Sequence, residues 1–155
     1  CPDAWIAPAP NIVAIYPATS SPADNLAAMD TDQLRNRLFL DTAVFGEYPE
    51  DLWNWWVDQG IEPEVEDEDW VALKEAQPDF IAFNYYGAGC VKAITFDEGN
   101  KAIEEANAQG GMVAFMTGMN TRPVMSQDVK NKLQVHTSMG MGIDPIGLQV
   151  TLRQL

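Results

Sequence analysis

Basic residues are scarce in this chain. Nine Lys and Arg stand against 23 Asp and Glu, and with the single histidine, His136, neutral, the 155 residues carry a formal net charge of −14. A surface of that sign repels phosphate backbones and anionic headgroups, so the expected partners include no nucleic acid and no membrane surface. Cysteine is scarcer still. Cys1 and Cys90 cannot build a disulfide framework, and neither lies in a Cys-x-x-Cys or Cys/His cluster of metal-ligand spacing, so a reducing, cytoplasmic setting is the expectation. Long apolar runs are missing too. None approaches the roughly 20 residues of a membrane span, and the opening CPDAWIAPAP has neither the basic start nor the apolar stretch of a signal peptide. No Met precedes Cys1, which reads as the edge of a piece of a longer protein; processing and residues outside this sequence are equally simple explanations. The length itself is too short for a complete eight-fold β/α barrel, which needs roughly 250 residues.

What is present can fold. The chain is 46% hydrophobic and 21% charged, with five Trp, four Tyr and six Phe, enough apolar surface for one domain's core. A strand is expected near Trp5 to Ala9, although Pro8 and Pro10 each remove a ladder donor. The turn-forming YPATSSP follows, in which Ser20 or Ser21 can cap a helix with Pro22 at its first position. That helix is expected over Ala23 to about Phe39, with Asp24 in its first turn and Arg35 and Arg37 in its last, as the helix dipole favours. Further helices are expected over Pro49 to Gly60 and Asp67 to Ala76. The clearest strand signal is DFIAFNYY, Asp79 to Tyr86, bracketed by Pro78 and Gly87. Beyond it, Ala88 to Phe96 suits a strand, Glu98 to Ala108 a polar helix, Gly110 to Thr117 a short strand and Met119 to Met139 a loop. Asp144-Pro145 opens a last helix over Ile146 to Leu155. Strands alternating with helices imply an α/β fold around a parallel sheet.

Candidate chemistry is sparse. From Asp41 to Asp69 the chain has eleven acids and no Lys or Arg, but EPEVEDED lacks the glycine and the fixed alternation of a calcium loop and reads as a solvated segment. Trp53, Trp55 and Trp56 suit either a sugar-stacking platform or a helix's core face, and core is the commoner use. His136 has no nucleophile in a recognisable catalytic spacing and reads as a loop residue. Gly87 to Gly89 and Gly140 to Gly142 match no dinucleotide or phosphate-loop pattern, so no cofactor is expected. There remain Asn84 and Tyr86, which share a face at the carboxyl end of the clearest strand while Tyr85 points the other way.

Four blocks taken together resemble glycoside hydrolase family 1, the β-glucosidase and 6-phospho-β-glucosidase family. They are WIAPAPNIVAIYP with Asn11, Tyr16 and Pro17; FLDTAVFGEYP with Asp41, Gly46, Tyr48 and Pro49; DFIAFNYYG with Asn84 to Gly87; and GMGIDPIGL with Gly140, Ile143, Asp144, Pro145 and Gly147. They fall in family order, and Met141 stands where the family usually has Trp.

The resemblance implies a partial (β/α)8 barrel segment, with Trp5 to Asn11 like the fifth strand and Asp79 to Tyr86 like the sixth, residues 1–155 forming one segment of the catalytic barrel. It implies a retaining β-glycosidase working through two glutamates, one in an Asn-Glu-Pro motif and one in a Glu-Asn-Gly motif. Neither motif occurs in this sequence, so the isolated chain is expected to be inactive. By the same resemblance Tyr86 orients the nucleophile carboxylate and Asn84 lines the sugar site. The implied substrate is a β-glucoside or 6-phospho-β-glucoside, with no metal and no cofactor. Strand edges that a closed barrel would pair are expected to promote self-association. The rival reading is a non-catalytic acidic α/β module that binds carbohydrate or protein through the Trp cluster.

Overall fold

Two prolines, Pro8 and Pro10, delay the first strand. The computed structural model describes residues 3–111, 121–122, 126–138 and 140–155. In chain order its elements are β1 (Asn11–Pro17), α1 (Pro22–Asp32), a π-helical segment (Gln33–Arg37), α2 (Leu38–Phe45), α3 (Glu50–Gln59), α4 (Asp67–Glu75), β2 (Asn84–Ala93), α5 (Phe96–Gln109), β3 (Thr121–Arg122), β4 (Ser126–Asp128), β5 (Val135–His136), β6 (Gly142–Ile143) and α6 (Gly147–Gln154).

Neither expected strand begins where the residue pattern put it. Trp5 to Ala9 and Asp79 to Phe83 are irregular, and β1 and β2 start at Asn11 and Asn84. Prolines at positions 8 and 10 remove two donors from the first segment, so no ladder can start there and its neighbour stays unladdered as well. Isolated bonds still tie the two segments. The Ile6 amide donates to Asp79 Oδ2 at 2.7 Å, the Asp79 amide donates to the Ile6 carbonyl at 2.9 Å, and the Asn84 amide donates to the Pro10 carbonyl at 2.8 Å. The last of these uses the acceptor that proline retains. The four-stranded sheet has the order β1-β2-β4-β3. Bonds joining Asn84 to Pro10 and Ala18 to Val91 pair rising numbers with rising numbers, so β1 and β2 are parallel. Strand β4 then pairs antiparallel to both β2 and β3, with Val91 opposite Asp128 and Thr121 opposite Gln127.

The chain divides into two compact units, Cys1–Ile12 with Gln33–Tyr86, and Val13–Asp32 with Gly87–Leu155. In the first, the π-helical segment leads into α2, which ends at Gly46 with φ +69°. The helix expected to stop near Phe39 therefore continues to Phe45. Its arginines do not mark an end; Arg37 instead pairs with Asp41 one turn on, at 3.7 Å. Helix α3 stops at Gly60, φ +65°, as its sequence implies. Helix α4 opens on a capping box in which the Glu66 amide donates to Asp69 Oδ2 at 3.0 Å. Ile12, Leu40 and Leu52 are this unit's buried large apolar residues.

In the second unit α1 starts as expected. The Ser21 hydroxyl accepts from the Asp24 amide at 3.1 Å, and Pro22 is the first helical residue. Ala14, Ala27, Ala28, Cys90, Val91 and Ala106 are buried. A polar pair lies with them: the Thr31 hydroxyl donates to the Ala27 carbonyl at 2.7 Å, so the Ser126 hydroxyl, 2.6 Å from Thr31 Oγ1, supplies the proton of that contact. Helix α5 is capped by Thr95, whose Oγ1 accepts from the Glu98 amide at 3.3 Å while the Glu98 carboxylate accepts from the Thr95 amide at 2.8 Å. The strand expected over Gly110 to Thr117 falls mostly on residues 112–117, outside those described. The loop expected from Met119 to Met139 carries β3, β4 and β5 in its described part, so His136 belongs to a two-residue strand opposite Gly142 and not to a loop.

Candidate functional site

Asn84 and Tyr86 occupy the first turn of the pleat in β2. Both are exposed, with Tyr85 between them half-buried, which is the alternation a strand imposes. The structure places them at the start of the observed strand and not at its carboxyl end, because the strand begins five residues later than its composition suggests. The Asn84 side-chain amide donates to the Ala9 carbonyl at 3.0 Å. That bond fixes which way the amide points and leaves its oxygen available to accept from a ligand hydroxyl. Tyr86 is 70% exposed. Asn11, the first residue of β1, is exposed as well.

The second unit carries two polar nodes that residue patterns do not reveal. Asp144 Oδ2 accepts from the Tyr16 phenol at 2.8 Å, while its Oδ1 accepts from the amides of Gly147 at 2.9 Å and Ile146 at 3.2 Å. One carboxylate therefore caps α6 and holds β1. Asp24 is buried, and it does more than meet the dipole of α1. Its carboxylate accepts from the Thr19 hydroxyl at 2.6 Å and the Ala93 amide at 2.8 Å. These bonds, the Thr19 one foremost, hold its carboxyl below its ordinary value of 3.8 against the opposing effect of burial. Cys90 shows the converse. Burial, aided by the charges of Asp128 and Asp24, pushes its thiol above the ordinary value of 9.0, which makes it an inert core group.

The aromatic residues form a cluster in the first unit, though not the trio that sequence spacing singles out. Trp53 stacks on Tyr48 with centroids 5.7 Å apart and planes 10° apart, and Trp56 meets both rings edge-on. Trp70 of α4 approaches Tyr48 at 5.7 Å and Trp53 at 5.4 Å. Tyr48 and Trp70 escape a helical-periodicity argument because they come from a loop and from a different helix; Trp55 makes none of these ring contacts. Glu62, Glu64 and the acids of α4's first turn are exposed, as a solvated segment should be. Among the described residues no three His, Cys, Asp or Glu side chains converge in a way that could hold a metal ion. No helix among them is long and apolar enough to cross a membrane.

A parallel strand pair whose crossover holds helices and loops but no strand defines a section of an α/β layer of the kind that builds barrels. The chain matches the model of glycosyl hydrolase family 1 over residues 1–155, and it belongs to that family. It is 29% identical over 154 residues to the aryl-phospho-beta-D-glucosidase BglC of Bacillus subtilis (strain 168), which covers 99% of this chain and 31% of that protein. With the 6-phospho-beta-glucosidase of Dickeya chrysanthemi the identity is 33% over 142 residues, 91% of this chain and 26% of the relative. Among solved structures, a beta-glucosidase from Exiguobacterium marinum superposes with a TM-score of 0.67 at 23% identity, over 94% of this chain and 27% of the other. The family 1 enzyme from Thermotoga maritima gives 0.64 at 23%, over 93% and 26%. The fold is thus that of a partial (β/α)8 barrel segment, and the described strands do not close into a barrel. The chain spans between about a quarter and a third of the length of these relatives.

Proposed function

We propose that these residues form part of a cytoplasmic retaining β-glycosidase, a β-glucosidase or 6-phospho-β-glucosidase, in which Tyr86 and Asn84 serve the sugar site. The names carried by the similar curated proteins, aryl-phospho-beta-D-glucosidase and 6-phospho-beta-glucosidase, favour the phosphorylated substrate. The observation that carries the site assignment is the joint exposure of Asn84 and Tyr86 on one face of β2, with the Asn84 amide held by Ala9. In a retaining reaction one glutamate forms the glycosyl-enzyme bond and a second gives and then takes the proton. Tyr86 would donate its phenolic hydrogen to the first of these carboxylates, which favours the ionised, attacking form. Neither glutamate motif occurs in this sequence, so the 155 residues by themselves lack the chemistry.

The test compares two samples, the isolated chain and a longer protein containing it, on nitrophenyl β-glucoside and its 6-phosphate. The longer protein is expected to hydrolyse one or both, and the isolated chain neither. Enzyme-like turnover by the isolated chain would refute the assignment of the reacting groups to other segments; a longer protein inert on both substrates would refute the glycosidase reading. The outer strands of the sheet, β1 and β3, together with exposed Trp5 and Ile6, support self-association of the isolated chain, which light scattering coupled to size exclusion would measure.

A further inference from the structure

The helices of the first unit enclose a feature that the proposed glycosidase site does not use. Residues of α2, α3, α4 and the loop before α3 line an open cavity of about 680 Å³, among them Glu47, Tyr48, Glu50, Trp53, Trp70 and Lys74. That is the size range of small-molecule sites. Asn84 and Tyr86 are not among its walls. We propose that this cavity binds a neutral saccharide.

Two properties of its lining point to that ligand class. Tyr48, Trp53 and Trp70 hold one another through centroid contacts of 5.4 to 5.7 Å, so they present a fixed apolar wall and need no ordering when a ligand arrives. Sugar rings expose C–H faces that fit such a wall. The polar lining is mixed: the exposed Glu47 and Glu50 offer acceptors, and the exposed Lys74 offers donors. Hydroxyl groups both donate and accept, and they satisfy this mixed set. The alternatives fit less well. An anion would meet three carboxylates, Asp41 included. An organic cation would gain from the rings and from Glu47 and Glu50, but it would meet the Lys74 ammonium while Asp41 already shares its charge with Arg37 at 3.7 Å, and it is therefore the competitor that the experiment includes. An apolar molecule would desolvate carboxylates and return no hydrogen bond.

The experiment titrates the 155-residue chain with cellobiose and, separately, with choline chloride, following tryptophan emission and heat of binding. Cellobiose is expected to give a saturable change and choline none. The pair Glu47→Gln and Glu50→Gln lies on exposed positions and is expected to preserve the circular dichroism spectrum while weakening cellobiose about tenfold, through loss of charge-assisted acceptors. A Tyr86→Phe chain is expected to bind as the parent does, which separates this cavity from the proposed catalytic face. Choline binding in place of cellobiose, unchanged affinity in the glutamine pair, or loss of binding in Tyr86→Phe alone would each overturn the proposal, as would the absence of any saturable response.

Discussion

The phenol of Tyr16 donates a 2.8 Å hydrogen bond to the carboxylate of Asp144, a residue 128 positions away. The same carboxylate accepts from the Ile146 and Gly147 amides at the start of α6, so strand and helix share one anchor. Two substitutions separate its roles. Tyr16→Phe deletes one bond to a charged group and is expected to cost about 1.5 kcal/mol. Asp144→Ala also strips the first amides of α6 and is expected to cost about 1 kcal/mol more, the usual value of a lost cap. Urea unfolding of the two single variants and the double variant measures the coupling; additive losses would show that Tyr16 and Asp144 do not act as a pair.

Glycines 46 and 60 end neighbouring helices with nearly the same backbone angles, φ +69° and +65°, yet they should respond differently to alanine. A Cβ at Gly46 would lie 2.6 Å from Lys74 Cα and 2.8 Å from the Leu73 carbonyl, backbone atoms that cannot swing aside; at Gly60 nothing stands within 4 Å. Gly60→Ala is expected to cost only the left-handed backbone penalty, about 1 kcal/mol. Gly46→Ala adds the displacement of α4, and a total of about 3 kcal/mol or more is expected. Thermal denaturation of both variants checks the order, and equal losses would mean that α4 yields freely at this contact.

What the sequence disclosed was local. Ser21 before Pro22, Gly60 after α3 and Asp144-Pro145 before α6 each act through bonds that reach only a few residues, and each lies where composition puts it. The family blocks were legible for the same reason, as short strings. Strand starts were not, because a strand's extent depends on its partner's donors: Asp79 to Phe83 has every β-forming residue it needs but faces a segment interrupted by Pro8 and Pro10. The Tyr16–Asp144 bond and the Tyr48–Trp70 contact join distant segments, and no periodicity encodes them. Asp24 looks like an ordinary first-turn acid, and only the fold shows it buried and bonded to Ala93.

Asp24 should give the second unit an acid limit. Its carboxyl titrates below the ordinary 3.8 in the folded chain, chiefly because the Thr19 hydroxyl and the Ala93 amide bond to the ionised form. A group whose folded value is depressed contributes stability that is complete above the unfolded value and lost as pH falls through the folded one. Asp24→Asn should therefore be clearly less stable than the parent at neutral pH, and the gap should narrow once the pH drops below 3.8. Denaturant midpoints of both chains measured between neutral and strongly acidic pH test this; a gap that stays constant across the range would mean the charged form of Asp24 has no special partners.

Tyr86→Phe tests the proposed site where it matters, in a longer family protein that carries both glutamates. The side chain is 70% exposed in this structure, and Phe keeps the ring, so stability should change by less than about 0.5 kcal/mol. If the phenol donates to the nucleophile carboxylate, its removal deletes an interaction with the reacting group, and kcat should fall about 100-fold while KM moves little. The lost donor also favours the protonated carboxyl, which raises its titration point. The acid limb of the kcat/KM profile should then move to higher pH. A parallel loss in kcat with an unmoved acid limb would assign Tyr86 to sugar positioning, and unchanged kinetics would remove it from the site altogether. Asn84→Ala supplies the contrast: its amide oxygen accepts from a substrate hydroxyl in this reading, so KM should rise and the pH limb should stay in place.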